Sequence, residues 1–250
     1  MSGLTAHPQR TLVERAIDLL RAGALDPDMI AVRVLGLANA PPAVAERLVT
    51  AQGSPLLEEC AFAVVDVETT GMHAGGDDRI TEIAVVVVEG TRREIVFDSL
   101  VNPGRPIPER ITELTGISNL MVSTAPSFGD IADQLVAALA GRVFVAHNVR
   151  FDWGFVGAEV RRCRDLSLEG THLCTVRLAR RLVRHEPSYA LGALATRFGL
   201  EFAARHRAAG DAMVTGMLLQ RLLGTARELG ARTLAELELL HRTPVRELPL

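Results

Sequence analysis

The chain contains no lysine. All 27 of its basic residues are arginine, against 30 aspartates and glutamates, for a formal net charge of −3. That balance excludes a protein that grips duplex nucleic acid through bulk positive charge, because such binding draws on many neutralised phosphates at once. A locally basic channel is still allowed. The exclusive use of arginine fits the codon bias of a GC-rich genome; the other reading is a choice of the guanidinium fork for phosphate contacts. Cysteine is scarce as well. Cys60, Cys163 and Cys174 stand at no metal-ligand spacing, so they read as free thiols in a reducing cytoplasm. No charged-then-apolar leader opens the chain. The longest apolar run, Ile83 to Val88, is far too short to cross a bilayer. The expectation is a cytoplasmic protein with no membrane partner.

What is present is a chain of 250 residues, 48% hydrophobic and 23% charged, enough for one full core plus an appendage. Residues 10 to 52 read as short amphipathic helices. Leu12, Ala16, Leu19 and Leu20 recur at helical spacing, Asp26-Pro27 makes a cap and first turn, and Pro41-Pro42 opens another helix. Through residue 60 this stretch holds five arginines and seven acids, so it lacks the basic face of a DNA reader. It reads as a small helical N-terminal appendage, residues 1–57, closed by the linker Gly53-Ser54-Pro55.

Beyond the linker the texture changes. Strands are predicted at Phe62–Val67, Ile80–Val88, Arg93–Val101 and Arg142–Ala146, with Glu89-Gly90-Thr91 as a hairpin turn. Helices are predicted over 108–114, 127–139, 151–163, 173–184, 189–198 and 208–229. The order βββ-α-β-α implies an α/β domain over residues 58–230, a mixed sheet flanked by helices. Residues 231–250 read as a short helical tail with a frayed end.

The chemistry lies in three separated clusters. Asp66 and Glu68 sit two apart at the end of a strand, so both carboxylates share one face. Paired acids in such a place need compensation, and hard divalent cations supply it. Thr69, Thr70 and Gly71 follow; the glycine lets backbone approach a ligand closely, and the hydroxyls and nearby N–H groups suit a sugar or phosphate. His147 and Asn148 end the next strand, where ligands gather in α/β sheets, and Phe151-Asp152 opens the following helix. His206 lies in a loop and Asp211 begins the longest predicted helix. Singly, each has a plain reading: Asp66 as a turn cap, Asp152 as a helix-start acid, His206 as an exposed bystander. Jointly, four acids and a histidine describe a hydrolase that uses two cations on an in-line displacement.

These three clusters, with Leu114-Thr115-Gly116-Ile117 between them, resemble the motifs of the DEDDh 3′→5′ exonucleases, the family of the proofreading epsilon subunit of bacterial DNA polymerase III. The resemblance covers roughly residues 60–225. A sister branch carries tyrosine where this chain has Arg207, so the histidine branch fits. The resemblance implies a ribonuclease-H-like sheet of five strands, the second antiparallel to the rest, although the sequence itself shows four. It implies two Mg²⁺ or Mn²⁺ ions held by Asp66, Glu68, Asp152 and Asp211, and His206 as general base. Glu68 and the backbone around Thr69 and Thr70 would hold the terminal nucleotide, with His147, Asn148 and Phe151 lining the site; for Phe151 a place in the core is the equal alternative. The implied substrate is the 3′ end of DNA, preferably single-stranded, released as 5′-mononucleotides, and the implied partner is a DNA polymerase or repair complex. RNA trimming is the alternative within enzymes, and a non-catalytic polymerase-accessory module the alternative outside them. Nine arginines against four acids between Arg142 and Arg184 make either a substrate-facing basic surface or solvated helix faces.

Overall fold

A computed structural model describes residues 54–242 apart from 184 and 204. The helices expected in residues 10–52 and the frayed end beyond 242 lie outside the described residues. The described residues fall into two compact units, residues 58–222 and residues 54–57 with 223–242.

The larger unit is built on a five-stranded sheet of order β3-β2-β1-β4-β5. Its strands are β1 (Ala61–Thr69), β2 (Ile80–Glu89), β3 (Arg92–Leu100), β4 (Val143–Ala146) and β5 (His172–Cys174). β2 runs antiparallel to β1 and β3, while β4 lies parallel to β1 and β5 parallel to β4. β2 is therefore antiparallel to all the others. It is buried along its length save the last residue, as expected of a β-branched run covered on both faces. β3 is the exposed edge and opens with Arg92, Arg93 and Glu94, charges that discourage edge-to-edge association.

The helices are α1 (Glu109–Thr115), α2 (Asn119–Ser123), α3 (Phe128–Leu139), α4 (Val149–Arg164), α5 (Thr175–Leu182), α6 (Leu191–Phe198), α7 (Ala208–Glu228) and α8 (Leu234–Arg242). α3 starts on a reciprocal capping box between Ser127 and Asp130, which satisfies two otherwise orphaned N–H groups. α3 and α4 cover one sheet face. There Val65 and Val67 of β1 and Ile83 and Val85 of β2 pack with Ile131, Leu135, Phe155 and Val160. α7 covers the other face: a side chain at Gly216 would press on Val88 and Val86. In the smaller unit Leu57 N–H donates to Arg232 O at 2.8 Å. Thr233 and Glu236 cap α8 there, Glu236 accepting the N–H groups of Arg232 and Thr233 at 2.6 and 2.8 Å.

Two elements were not read from the residues themselves, although the family resemblance implied a fifth strand. The fifth strand, β5, has three residues, too few for a period-two signal, and it is continuous with α5. The helix expected over 173–184 consequently begins at Thr175 and ends at Leu182. α2, five residues capped by Ser118, is likewise too short to show periodicity. Among the described residues no helix is long and apolar enough to cross a membrane.

Candidate active site

The site grows from one row of β1. Phe62 and Val64 face the α7 side of the sheet opposite Val88 and Val86. The row then turns acidic: Asp66 lies opposite the small Ala84, and Glu68 opposite Glu82. Beyond Ala84 stands Asp98 of β3. Three acids on adjoining strands, with Asp98 beside them, thus continue an apolar sheet face.

Asp211, in the first turn of α7, comes down on this row. One carboxylate oxygen each from Asp66, Glu68 and Asp211 lies within 4.8 Å of the other two. Asp152, in the first turn of α4, reaches the site from the other edge of β1. β4 pairs with β1 only as far as Val64. Past that end Val67 N–H donates to Asp152 Oδ1 at 3.2 Å.

Burial and mutual repulsion act together on these groups. Burial, followed by the charges of Asp152, Asp211, Glu68 and Glu82, drives the Asp66 carboxyl well above its ordinary range. Burial also raises Asp152 strongly, against hydrogen bonds from backbone N–H groups including that of Val67. Glu68 is pushed up to about 7 by burial, then by Asp211 and Glu82, with Arg207 opposing. Asp211 is raised by burial and eased by the His206 N–H. A converging set of oxygen donors that resists carrying its own charge fits a divalent cation, whose ligands are ionised carboxylates.

His206 is held at φ 56°, a left-handed conformation uncommon for any residue but glycine. Its N–H donates to Asp211 Oδ2 at 3.0 Å. Arg207 forks onto Glu82, with Nη2 to Oε1 at 2.6 Å and Nε to Oε1 at 3.0 Å.

The turn after β1 is tied from within. Thr69 and Thr70 are buried, and their hydroxyls serve the protein. Thr69 Oγ1 donates to Gly71 O, while Thr70 Oγ1 meets Asp78 Oδ1 at 3.2 Å and accepts from Arg79 N–H at 3.0 Å. What this turn can offer a ligand is backbone. Asp78 also accepts the His73 N–H at 3.1 Å. A Cβ at Gly71 would overlap its carboxylate, so this glycine is required for close approach.

The remaining expected residues are placed as follows. The His147 ring is engaged at both nitrogens, with Thr175 Oγ1 at 2.9 Å and Tyr189 O at 3.1 Å, and burial lowers it to about 4. Asn148 is exposed at φ 76° just before α4. Phe151 packs against Phe155 at 4.8 Å between centroids, alongside the core. Glu82, Asp78 and the pairing of Arg207 were not read from the sequence. The available signal for Glu82 was a lone acid inside an apolar strand, Ile80-Thr81-Glu82-Ile83; the partner of Arg207, far away in the chain, left none.

Residues 63–219 match the exonuclease family RNase_T. The chain is 38% identical over 179 residues to the 3′-5′ exonuclease DinG of Bacillus subtilis (strain 168), covering 72% of this chain and 19% of that protein. It is 37% identical over 185 residues to a DNA polymerase III subunit epsilon-like protein of Rhodobacter capsulatus, covering 71% of this chain and 26% of that one. It therefore spans about a fifth to a quarter of the length of these relatives. Among solved structures it is similar to Exonuclease X in complex with 5′ overhanging duplex DNA. There the TM-score is 0.51 and the identity 31%, over 68% of this chain and 97% of the other. The nuclease domain of 3′hExo, a DEDDh family member, shares the fold at a TM-score of 0.58 and 16% identity, over 69% of this chain and 94% of the other.

Proposed function

The chain belongs to the RNase_T exonuclease family, and from that membership we propose that it is a metal-dependent 3′→5′ exonuclease that removes 5′-mononucleotides from single-stranded DNA ends. The observation that carries the reading is the convergence of Asp66, Glu68 and Asp211 within ligand distance of one another, with Asp152 bonded to the same strand and His206 bonded to Asp211. We assign Asp66, Glu68, Asp152 and Asp211 to hold two divalent cations, Mg²⁺ or Mn²⁺, and residues 58–230 to the catalytic domain. When bound, such cations stabilise charge on the attacking and leaving oxygens of the scissile phosphate.

The protein's own groups supply the rest. His206, on the loop beside Asp211, takes the proton of the attacking water as general base. The backbone of Thr69, Thr70 and Gly71 receives the terminal nucleotide, and the internal ties of that turn keep it in shape. Phe151 and Asn148 lie at the start of the helix that bears Asp152, next to where the strand enters. His147 steadies the end of β4 against Thr175 and Tyr189. The names of the relatives, an epsilon-like polymerase subunit among them, support association with a polymerase or repair complex.

The test is digestion of a 5′-labelled single-stranded DNA oligomer and a matched RNA with Mg²⁺, Mn²⁺ or EDTA. A ladder descending from the 3′ end of DNA, lost with EDTA and reduced roughly 10³-fold or more in Asp211→Ala, is the expected result. Faster loss of RNA would move the assignment to an exoribonuclease. No cleavage of either by folded protein would remove the catalytic reading.

A further inference from the structure

Glu82 stands out among the acids of the site. Its side chain is almost fully buried, and its oxygens are committed within the protein. Oε1 accepts from Arg207 Nη2 at 2.6 Å and Nε at 3.0 Å, and Oε2 accepts from Arg207 Nε at 3.2 Å and from Ala208 N–H at 2.8 Å. The donor set of Asp66, Glu68 and Asp211 does not include it. Yet Glu82 pairs in register with Glu68, one strand away. It lies beside the acids that would hold the cations and faces a cation of the protein's own.

That cation follows His206 directly in sequence. Arg207 and Ala208 are the two residues that leave the His206 turn and start α7, and both are fastened to Glu82. On its other side His206 is fastened through its own N–H to Asp211. Its left-handed backbone, φ 56°, is costly for a residue with a side chain and persists only where neighbours hold it. A bidentate guanidinium–carboxylate pair fixes direction as well as distance, which lysine cannot do.

We propose that Glu82 and Arg207 form a latch that sets the position of His206, so that the base is registered through β2 to the ligands on β1. The role given to His206 rests on the exonuclease reading; Glu82 and Arg207 are positioning residues that touch neither substrate nor cation.

The experiment compares wild type, Arg207→Ala, Arg207→Lys and Glu82→Gln, with Arg207→Ala repeated in a His206→Ala background. Rates are read on single-stranded DNA, Mn²⁺ affinity by calorimetry, and amide exchange of His206 and Ala208 by NMR in EDTA. Arg207→Ala should lower kcat about 10²-fold, the scale of a 1 Å misplacement, with KM and Mn²⁺ affinity little changed. Arg207→Lys should recover only a small part of the loss. In the His206→Ala background the same substitution should cost nothing further, because groups acting as one unit are not additive. His206 and Ala208 should exchange at least tenfold faster in Arg207→Ala and Glu82→Gln. An equal further loss in the His206→Ala background, or unchanged exchange, overturns the latch while leaving the exonuclease reading intact. If wild type digests nothing, that reading falls and the exchange data alone decide the latch.

Discussion

Asp66 is the most constrained acid of the cluster, pressed upward by burial and by four neighbouring acids. Its carboxylate suits a bound cation and costs the cation-free protein stability. Asp66→Asn keeps the shape and removes the charge. Its expected outcome is twofold: hydrolysis lost, and a melting temperature in EDTA raised by about 3 °C, the shift that roughly 1 kcal/mol produces in a chain of this size. Calorimetry beside the digestion assay checks both, and a lower melting temperature in EDTA would refute the account of mutual repulsion. Gly71 tests the neighbouring turn. A methyl group there meets the Asp78 carboxylate, so Asp78 must give up its bonds to Thr70 and the His73 N–H. Gly71→Ala should raise KM roughly tenfold, about 1.4 kcal/mol of binding, with a smaller effect on kcat. An unchanged KM would show that the turn does not receive the nucleotide.

α7 carries Asp211 and lies close on the sheet because position 216 has no side chain. A Cβ at Gly216 would come within 3.2 Å of Val88 Cγ2. Gly216→Ala sets this tight contact against a gain of about 1 kcal/mol in helix propensity, so its net effect on stability should be small. Gly216→Leu cannot be absorbed: about 2–3 kcal/mol of overpacking cost is expected, and activity should fall as Asp211 lifts from the row on β1. Denaturant unfolding and the rate measure the two effects, and full activity in the leucine variant would refute the packing argument. The same element shows what a sequence can and cannot disclose. The apolar, β-branched runs announced β1 and β2, and the 3.6-residue spacing announced α3 and α7, because each buries a regular face. β5 and α2 are three and five residues long, less than two repeats of the periods that would reveal them. Asp66 and Glu68 were legible because two residues along a strand is one face. The Glu82–Arg207 latch was not, because its partners stand 125 residues apart and only the register of β2 against β1 puts Glu82 beside Glu68.

Across the whole molecule, the raised carboxyls make stability depend on pH and cation together. Glu68 is pushed up to about 7, against an ordinary value of about 4.3 for a free glutamate. A carboxyl whose folded value exceeds its unfolded value binds its proton more tightly when folded. Its contribution is thus complete below the unfolded value and is lost as pH climbs through the folded one. His147 works in the opposite sense. Lowered to about 4 by burial, it favours the folded state increasingly as pH rises from there to about 6.5, the ordinary imidazole value, and then adds nothing further. The two effects oppose below pH 6.5, so the informative window lies above it. In EDTA, between pH 6.5 and 8, Glu68 alone should cost roughly 1 kcal/mol, or about 3 °C in melting temperature. Asp66, Asp152 and Asp211 are displaced in the same direction. A divalent cation reverses the trend, since it binds the ionised carboxylates and releases their protons. Mn²⁺ at a fixed millimolar concentration should therefore raise the melting temperature more at pH 8 than at pH 6.5, and Asp66→Asn should shrink that difference. Equal cation stabilisation at both pH values, or a metal-free protein that grows more stable from pH 6.5 to 8, would show that these acids are not held in the strained, proton-retaining state that the site geometry requires.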